Sequence, residues 1–217
     1  MNIKLAVFDL DGTLVSSHKT IYKATQRALK DLKISAEIPE KEFYNLIGHH
    51  FEDIFNEFGF NVPDFNQFIS VYKSVYFEYA DSSFTYPGVV ETIDALKQRL
   101  IKISLLTTKA QDQAELNLSF FNLLDKFDYV MGRRPGIKNK PSPEPLLKIC
   151  EEMNIGVSET IMIGDSELDI YCGKNAGTKT CAVTYGYRTK EELMKTNPDL
   201  LINNLYDLMK ILDYSNS

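Results

Sequence analysis

Short apolar runs alternate with stretches of helical periodicity along most of the chain. Residues 3–8, 102–107, 129–132, 160–164, 180–184 and 199–202 read as strands, and several lack the polar alternation of a half-solvated strand. Strands that are apolar at successive positions are buried on both faces, which is the condition of a parallel sheet covered on both sides. Between them Val89, Ile93, Leu96 and Leu100 recur at helical spacing, and helical patterns follow over 110–121, 143–153, 168–176 and 190–196. The series predicts an α/β fold with a Rossmann-like open parallel sheet as its core.

Residues 17–82 break the alternation. Ile21, Ala24, Ala28, Leu29 and Leu32 share one helical face, and further helical patterns run over 43–47, 51–58 and 65–79. This predicts a small all-helical cap domain, residues 17–82, inserted after the first strand, with 1–16 and 83–217 forming the α/β core domain. The turn-rich stretch "ADSSFTYPG" at 80–88 marks the return to the sheet. The tail after Asp213 is expected to fray.

Composition narrows the setting. The 217 residues are 44% hydrophobic and 25% charged, enough to bury a sizeable core. A net charge of −6 repels a phosphate backbone, and no dense Lys/Arg block offers a nucleic-acid footprint. Nucleic acid is therefore not an expected partner. No apolar run approaches the ~18 residues of a membrane span, and no leader pattern precedes the first strand, so a soluble cytoplasmic protein without membrane association is expected. The three cysteines, Cys150, Cys172 and Cys181, lack metal or redox spacing and are expected to be reduced and buried. A monomer or a homodimer is expected.

Candidate chemistry gathers at the strand ends, where open α/β sheets bind ligands. Asp9 and Asp11 follow the first strand, Thr107 and Thr108 close the second, Lys140 lies in the loop after the third, and Asp165 and Asp169 follow the fourth. Residues two apart in extended chain point the same way, about 6–7 Å from each other, with Leu10 between them in the packing. Gly12 lets the backbone turn and offers its N–H to an anion. Carboxylates this close repel unless a cation neutralises them. Asp165 converging on the pair suits a hard cation such as Mg²⁺. Carboxylates, a lysine and a cation describe a site for a phosphate ester, in which an aspartate can attack phosphorus. Asp165 is also placed to cap the following helix. Among the basic residues near Lys140, most of Lys109, Arg133, Arg134 and Lys138 are expected to form a solvated face.

These residues carry a resemblance. "DLDGT" at 9–13, "LLTTK" at 105–109, "KPSPEP" at 140–145 and "GDSELDI" at 164–170 stand in the order of the haloacid dehalogenase superfamily. Across essentially its whole length the chain resembles the branch with a helical cap after the first motif, and is similar in pattern to phosphoglycolate phosphatases. The resemblance implies a Mg²⁺-dependent phosphatase acting on a small phosphorylated metabolite through an aspartyl phosphate. It implies that Asp9 is the nucleophile and Asp11 the general acid and base. Asp9, the backbone carbonyl of Asp11, and Asp165 would hold Mg²⁺. Thr107 and the backbone N–H of Thr108 would bind phosphate oxygens, with Lys140 balancing charge on the phosphoryl group. Asp169 would orient Lys140 or a metal-bound water, and Ser166 would lie beside the metal ligands.

Within the superfamily, the presence of Asp11 argues against dehalogenation, whose leaving group needs no proton. The sugar-phosphate mutases add a cap histidine where this chain has Ile21 or Tyr22, which favours hydrolysis. A pyrophosphatase or a β-phosphoglucomutase-like mutase remains the alternative, and after them a non-catalytic protein that binds a phosphate ligand. Substrate choice is assigned to the cap stretch "NLIGHHFEDIF" at 45–55, where His49 and His50 can bind an anionic group or else cap the next helix. The cap is expected to open and close by bending near 15–19 and 80–87.

Overall fold

The computed structural model describes residues 2–214. The chain forms β1 (Leu5–Phe8), β2 (Val15–Ser16), α1 (His18–Asp31), α2 (Glu40–Asn45), α3 (Phe51–Glu57), α4 (Phe65–Tyr76) and β3 (Phe84–Thr85). It continues through α5 (Val89–Gln98), β4 (Lys102–Ala110), α6 (Gln111–Phe120), β5 (Tyr129–Arg133), α7 (Glu144–Met153) and β6 (Thr160–Gly164). The last elements are α8 (Glu167–Ala176), β7 (Lys179–Val183), α9 (Lys190–Lys195), β8 (Leu200–Ile202) and α10 (Tyr206–Tyr214).

Six strands make one parallel sheet in the order β5-β4-β1-β6-β7-β8. The reason is legible in β1, where all four residues are buried and successive side chains face opposite layers. Leu5 and Val7 pack with Leu146, Ile149 and Cys172 of α7 and α8. Ala6 and Phe8 pack with Ile93, Leu118 and Leu208 of α5, α6 and α10. A chain that starts at the centre and extends to both sides places β1 between β4 and β6, and the crevice beyond their carboxyl ends is the binding position of such sheets.

Differences from the sequence expectation are small and have local causes. The strand predicted from residue 3 begins at Leu5, and the helical pattern over 65–79 ends at Tyr76, followed by a tighter helical turn at Phe77–Ser82. The helix α10 was not anticipated, nor was the pairing of β2 with β3, whose two-residue strands are too short to carry a period. Fraying expected at the extreme tail lies outside the described residues for 215–217.

The helical segment has a separate core. Ile21, Ala24, Ala28 and Leu29 form the buried stripe of α1, as their spacing predicts. They pack into an aromatic cluster in which Phe55 and Phe68 meet edge to face at 4.9 Å between ring centroids, with Phe51 at 5.2 Å from Phe68. The chain enters and leaves this segment through the antiparallel β2–β3 ribbon, Val15 opposite Thr85 and Ser16 opposite Phe84. The three cysteines are buried and unpaired. Among the described residues, no helix is long and apolar enough to cross a membrane.

Phe68 is fully buried at the centre of the aromatic cluster, so Phe68→Ala is expected to cost about 3–5 kcal/mol of stability by urea denaturation. A loss below about 1 kcal/mol would contradict the packing described here.

Candidate active site

The turn after β1 puts the first two acids in place. Leu14 and Val15 both donate their N–H to Leu10 O at 2.9 Å, and Gly12 donates to Val15 O at 2.8 Å, so the Gly12 N–H, expected to bind an anion, is used within the turn instead. Gly12 sits at φ +90°, and a Cβ there would lie 2.2 Å from Asp165 Oδ2. Glycine is therefore required on two counts, conformation and the approach of Asp165. Leu10 is fully buried beneath the turn.

Asp9, Asp11, Thr107, Thr108, Lys140, Asp165, Ser166 and Gly48 line one small cavity at the carboxyl ends of the strands. Thr107 and Thr108 reach it where the β4–β5 register shifts between Leu106 and Ala110. Such an irregularity re-aims side chains at a sheet rim. Lys140 is buried, its Nζ donating to Asp9 Oδ1 at 2.6 Å, to Asp169 Oδ1 at 2.5 Å and to Leu106 O at 3.1 Å. Ser166, and not Asp165, is the N-cap of α8: its N–H and hydroxyl donate to Asp169 Oδ2 at 3.1 and 2.6 Å. Asp165 is thereby left facing the cavity, with Oδ2 accepting the Tyr187 N–H at 2.7 Å.

Burial dominates the electrostatics. It pushes Asp9 well above the usual carboxylate range; Lys140 opposes this, while Asp169 and Asp165 reinforce it. Burial, then the neighbouring Asp169, push Asp165 up to about 7. Burial works against the Lys140 ammonium, but Asp169 and Asp9 outweigh it and hold the group above its ordinary value.

Three carboxylates, those of Asp9, Asp165 and Asp169, bring oxygens within 4.8 Å of one another around this single ammonium. A divalent cation would balance the excess negative charge. Both oxygens of Asp169 are held closely, by Lys140 and Ser166, whereas Asp165 Oδ1 has only the Thr13 hydroxyl at 3.5 Å and Asp9 is held through Oδ1 alone, so Asp9 and Asp165 are the carboxylates with capacity to spare. Hard oxygen donors in a pocket too small for many of them suit Mg²⁺, which binds through one or two carboxylates and keeps several waters.

One expectation is corrected here. Lys109 and Arg133 are not on a solvated face. Lys109 is nearly buried, 3.2 Å from Asp11 Oδ2 and 4.7 Å above the Tyr76 ring; Arg133 and Arg134 are half-buried, and Lys138 alone of the four is exposed. Burial opposes the Lys109 charge, yet Asp11 more than restores it and its pKa is raised. Ser17 Oγ donates to the other oxygen of Asp11. The contacts of Lys109 and Ser17 depend on the bulge and the helical segment, and no spacing in the sequence announces them.

His49 and His50 line a second, adjoining cavity between the helical segment and the sheet. His49 Nε2 lies 3.2 Å from Glu167 Oε1, and Glu167 is also bound by Arg188 Nε at 2.8 Å. Burial works against the Glu167 carboxylate, but His49 and Arg188 outweigh it and take it down to about 2. His50 holds the N-cap position of α3 without a side-chain cap bond. Its Nδ1 accepts from Arg133 Nη1 at 2.9 Å, and its Nε2 lies 2.7 Å from the Asn139 amide. Burial, then Arg133, lower its pKa.

Comparison with known proteins gives the family and the fold. The family model described as haloacid dehalogenase-like hydrolase matches residues 6–183. The chain is 32% identical over 217 residues to the pyrophosphatase PpaX of Bacillus mycoides, covering 100% of both chains. It is 30% identical to the pyrophosphatase PpaX of Halalkalibacterium halodurans, covering 98% of both. Among solved structures, a predicted phosphoglycolate phosphatase from Haemophilus somnus superposes with a TM-score of 0.84 at 26% identity, covering 98% of this chain and 99% of that one.

The elevated Asp165 and Asp9 have a thermodynamic consequence. A carboxyl whose pKa is raised on folding binds more protons when folded, so its contribution to stability falls as pH rises from about 4 through about 7. Mg²⁺ is therefore expected to raise the melting temperature more at pH 8 than at pH 5, measured by differential scanning fluorimetry. Equal stabilisation at both pH values would count against metal binding by these acids.

Proposed function

Since the chain belongs to the haloacid dehalogenase-like hydrolases, we propose that it is a Mg²⁺-dependent phosphatase that hydrolyses a small phosphomonoester through a phosphorylated Asp9. The observation that carries this reading is the buried Asp9–Lys140–Asp169 chain, in one cavity with Asp11, Thr107 and Asp165. Its buried, unpaired cysteines suit a reducing cytoplasm.

Asp9, the Asp11 backbone carbonyl and Asp165 would hold Mg²⁺, which supplies charge to offset that of the phosphoryl group. Thr107 and the Thr108 N–H receive phosphate oxygens, and the Lys140 ammonium faces the same group. A carboxylate oxygen of Asp9 forms a bond to phosphorus as the bond to the leaving oxygen breaks, and Asp11 gives that oxygen its proton. In the second half, a water attacks phosphorus, its proton passes to Asp11, and the Asp9–phosphorus bond breaks to release phosphate. Lys109 and Ser17, both on Asp11, fix the orientation of its carboxyl group.

Residues 17–82 act in this reading as a cap. Ile47 and Gly48 form part of the wall of the phosphate cavity, so closure excludes bulk water from the phosphorylated aspartate. The motion bends at the β2–β3 ribbon.

A second reading, pyrophosphate hydrolysis by the same residues, is favoured by the name carried by relatives about as long as this chain and about a third identical to it. Phosphate release from phosphomonoesters and from pyrophosphate, with Mg²⁺ and with chelator, compares the two. Asp9→Asn is expected to reduce turnover of either substrate by at least about 10³-fold, since the nucleophile is lost. Turnover that survives Asp9→Asn, or that persists fully in chelator, sinks the mechanism.

A further inference from the structure

The cavity that adjoins the phosphate cavity has a composition that bears on the leaving group. Asp11, Ile47, Gly48 and Thr108 belong to the walls of both. With Asp11 as the proton donor to the leaving oxygen, the adjoining cavity lies on the leaving-group side. Apolar side chains, those of Ile21, Phe43, Phe51, Ile54, Ile69 and Tyr72, make up much of the rest of its wall. Its volume is about 90 Å³, and one water needs roughly 10–15 Å³ on this measure, so it accommodates roughly six to nine water-sized groups. That is more than glycolate supplies.

The charged groups of the wall are unequal. Lys73 is held by both oxygens of Asp112 at 2.9 and 2.8 Å, and Lys109 is paired with Asp11. His49 is paired with Glu167. Among the described residues Arg133 has no carboxylate partner; its Nη1 donates to the neutral side of His50 and its remaining donors are uncommitted. Gln113, only 6% exposed, has a buried Oε1 with no hydrogen-bond partner, an acceptor that suits a donor and not the anion. A half-buried guanidinium without a counter-ion is an attractive position for an anion. The leaving phosphate of pyrophosphate would bring more negative charge than one free cation meets and no apolar body to cover the walls, a costly desolvation, whereas a single carboxylate is matched by the guanidinium.

We infer that this cavity takes the leaving group of an organic phosphomonoester with an apolar body several carbons long and an anionic group held by Arg133. The inference rests on the phosphatase reading above and selects within it: phosphoglycolate is too short, and pyrophosphate too polar, to use this wall. Arg133 is a specificity-determining residue, outside the bond-making machinery.

The test is kcat/KM of the Mg²⁺-loaded full chain on phosphoryloxyhexanoate, n-hexyl phosphate, aminohexyl phosphate, phosphoglycolate and inorganic pyrophosphate. Phosphoryloxyhexanoate is expected to exceed each of the others by about tenfold or more, the value of one charge-assisted contact or a filled apolar wall. Arg133→Gln should bring the ratio of phosphoryloxyhexanoate to n-hexyl phosphate to about one, and Arg133→Glu should favour aminohexyl phosphate over phosphoryloxyhexanoate. Phosphoglycolate or pyrophosphate as the fastest wild-type substrate overturns the inference but leaves a phosphate-releasing enzyme. Equal wild-type rates on the charged and uncharged hexyl esters, or a ratio unchanged in Arg133→Gln, overturn it as well. Turnover of none of the five rejects the phosphatase reading itself. The wild-type comparison stands even if neither variant folds.

Discussion

The buried ammonium of Lys140 is the interaction on which the site depends. It joins the end of β1 through Asp9, the middle of β4 through Leu106 O, where the register shift begins, and the first turn of α8 through Asp169. Each of those acids alone would be costly to bury ionised, and together with Asp165 they would repel one another. One lysine does not neutralise three carboxylates, and the raised pKa values of Asp9 and Asp165 show that protons meet part of the difference. That shortfall makes the site receptive to a cation, and through it to an anionic substrate.

The sheet was legible because burial on both faces leaves a continuous apolar signature, clearest in β1 and β6. The acids were legible because the strand ends are where such sheets hold ligands, and the four motifs agree in order. What was not legible depends on packing between distant segments. Lys109 follows two threonines in a strand whose register shifts, so alternation could not say where it points. His50 meets Arg133, 83 positions away in sequence, and neither residue type carries that contact in its local pattern. The helix α10 closes one face of the sheet through Leu208, with Leu205 just before it, but its short apolar stripe follows an asparagine-rich turn that obscures it.

Sheet and helical segment are joined by more than the chain. Tyr76, in the aromatic core of the segment, lies over Lys109 and donates its hydroxyl to Asn117 Oδ1 at 3.1 Å. Since Lys109 pairs with Asp11, the position of α4 bears on the electrostatics of the residue assigned to proton transfer. Arg188 makes a second tie, from Glu167 to Ile47 O at 3.3 Å. Lys73 to Asp112, His49 to Glu167 and His50 to Arg133 add further polar ties, and Phe77 meets Phe120 at 5.9 Å between ring centroids.

The two-residue ribbon of β2 and β3 has a consequence of another kind. Because the chain leaves the sheet and comes back at adjacent points, everything between Ser16 and Phe84 is, to the sheet, a side loop with its ends already closed. Closing a loop whose ends are pinned costs little more when the loop is lengthened. The helical segment can thus be enlarged, trimmed or replaced without altering strand order; Asp9, Asp165 and Asp169, held from within the sheet, would keep their places, and Asp11 alone would lose a contact that the segment supplies, the Ser17 hydroxyl.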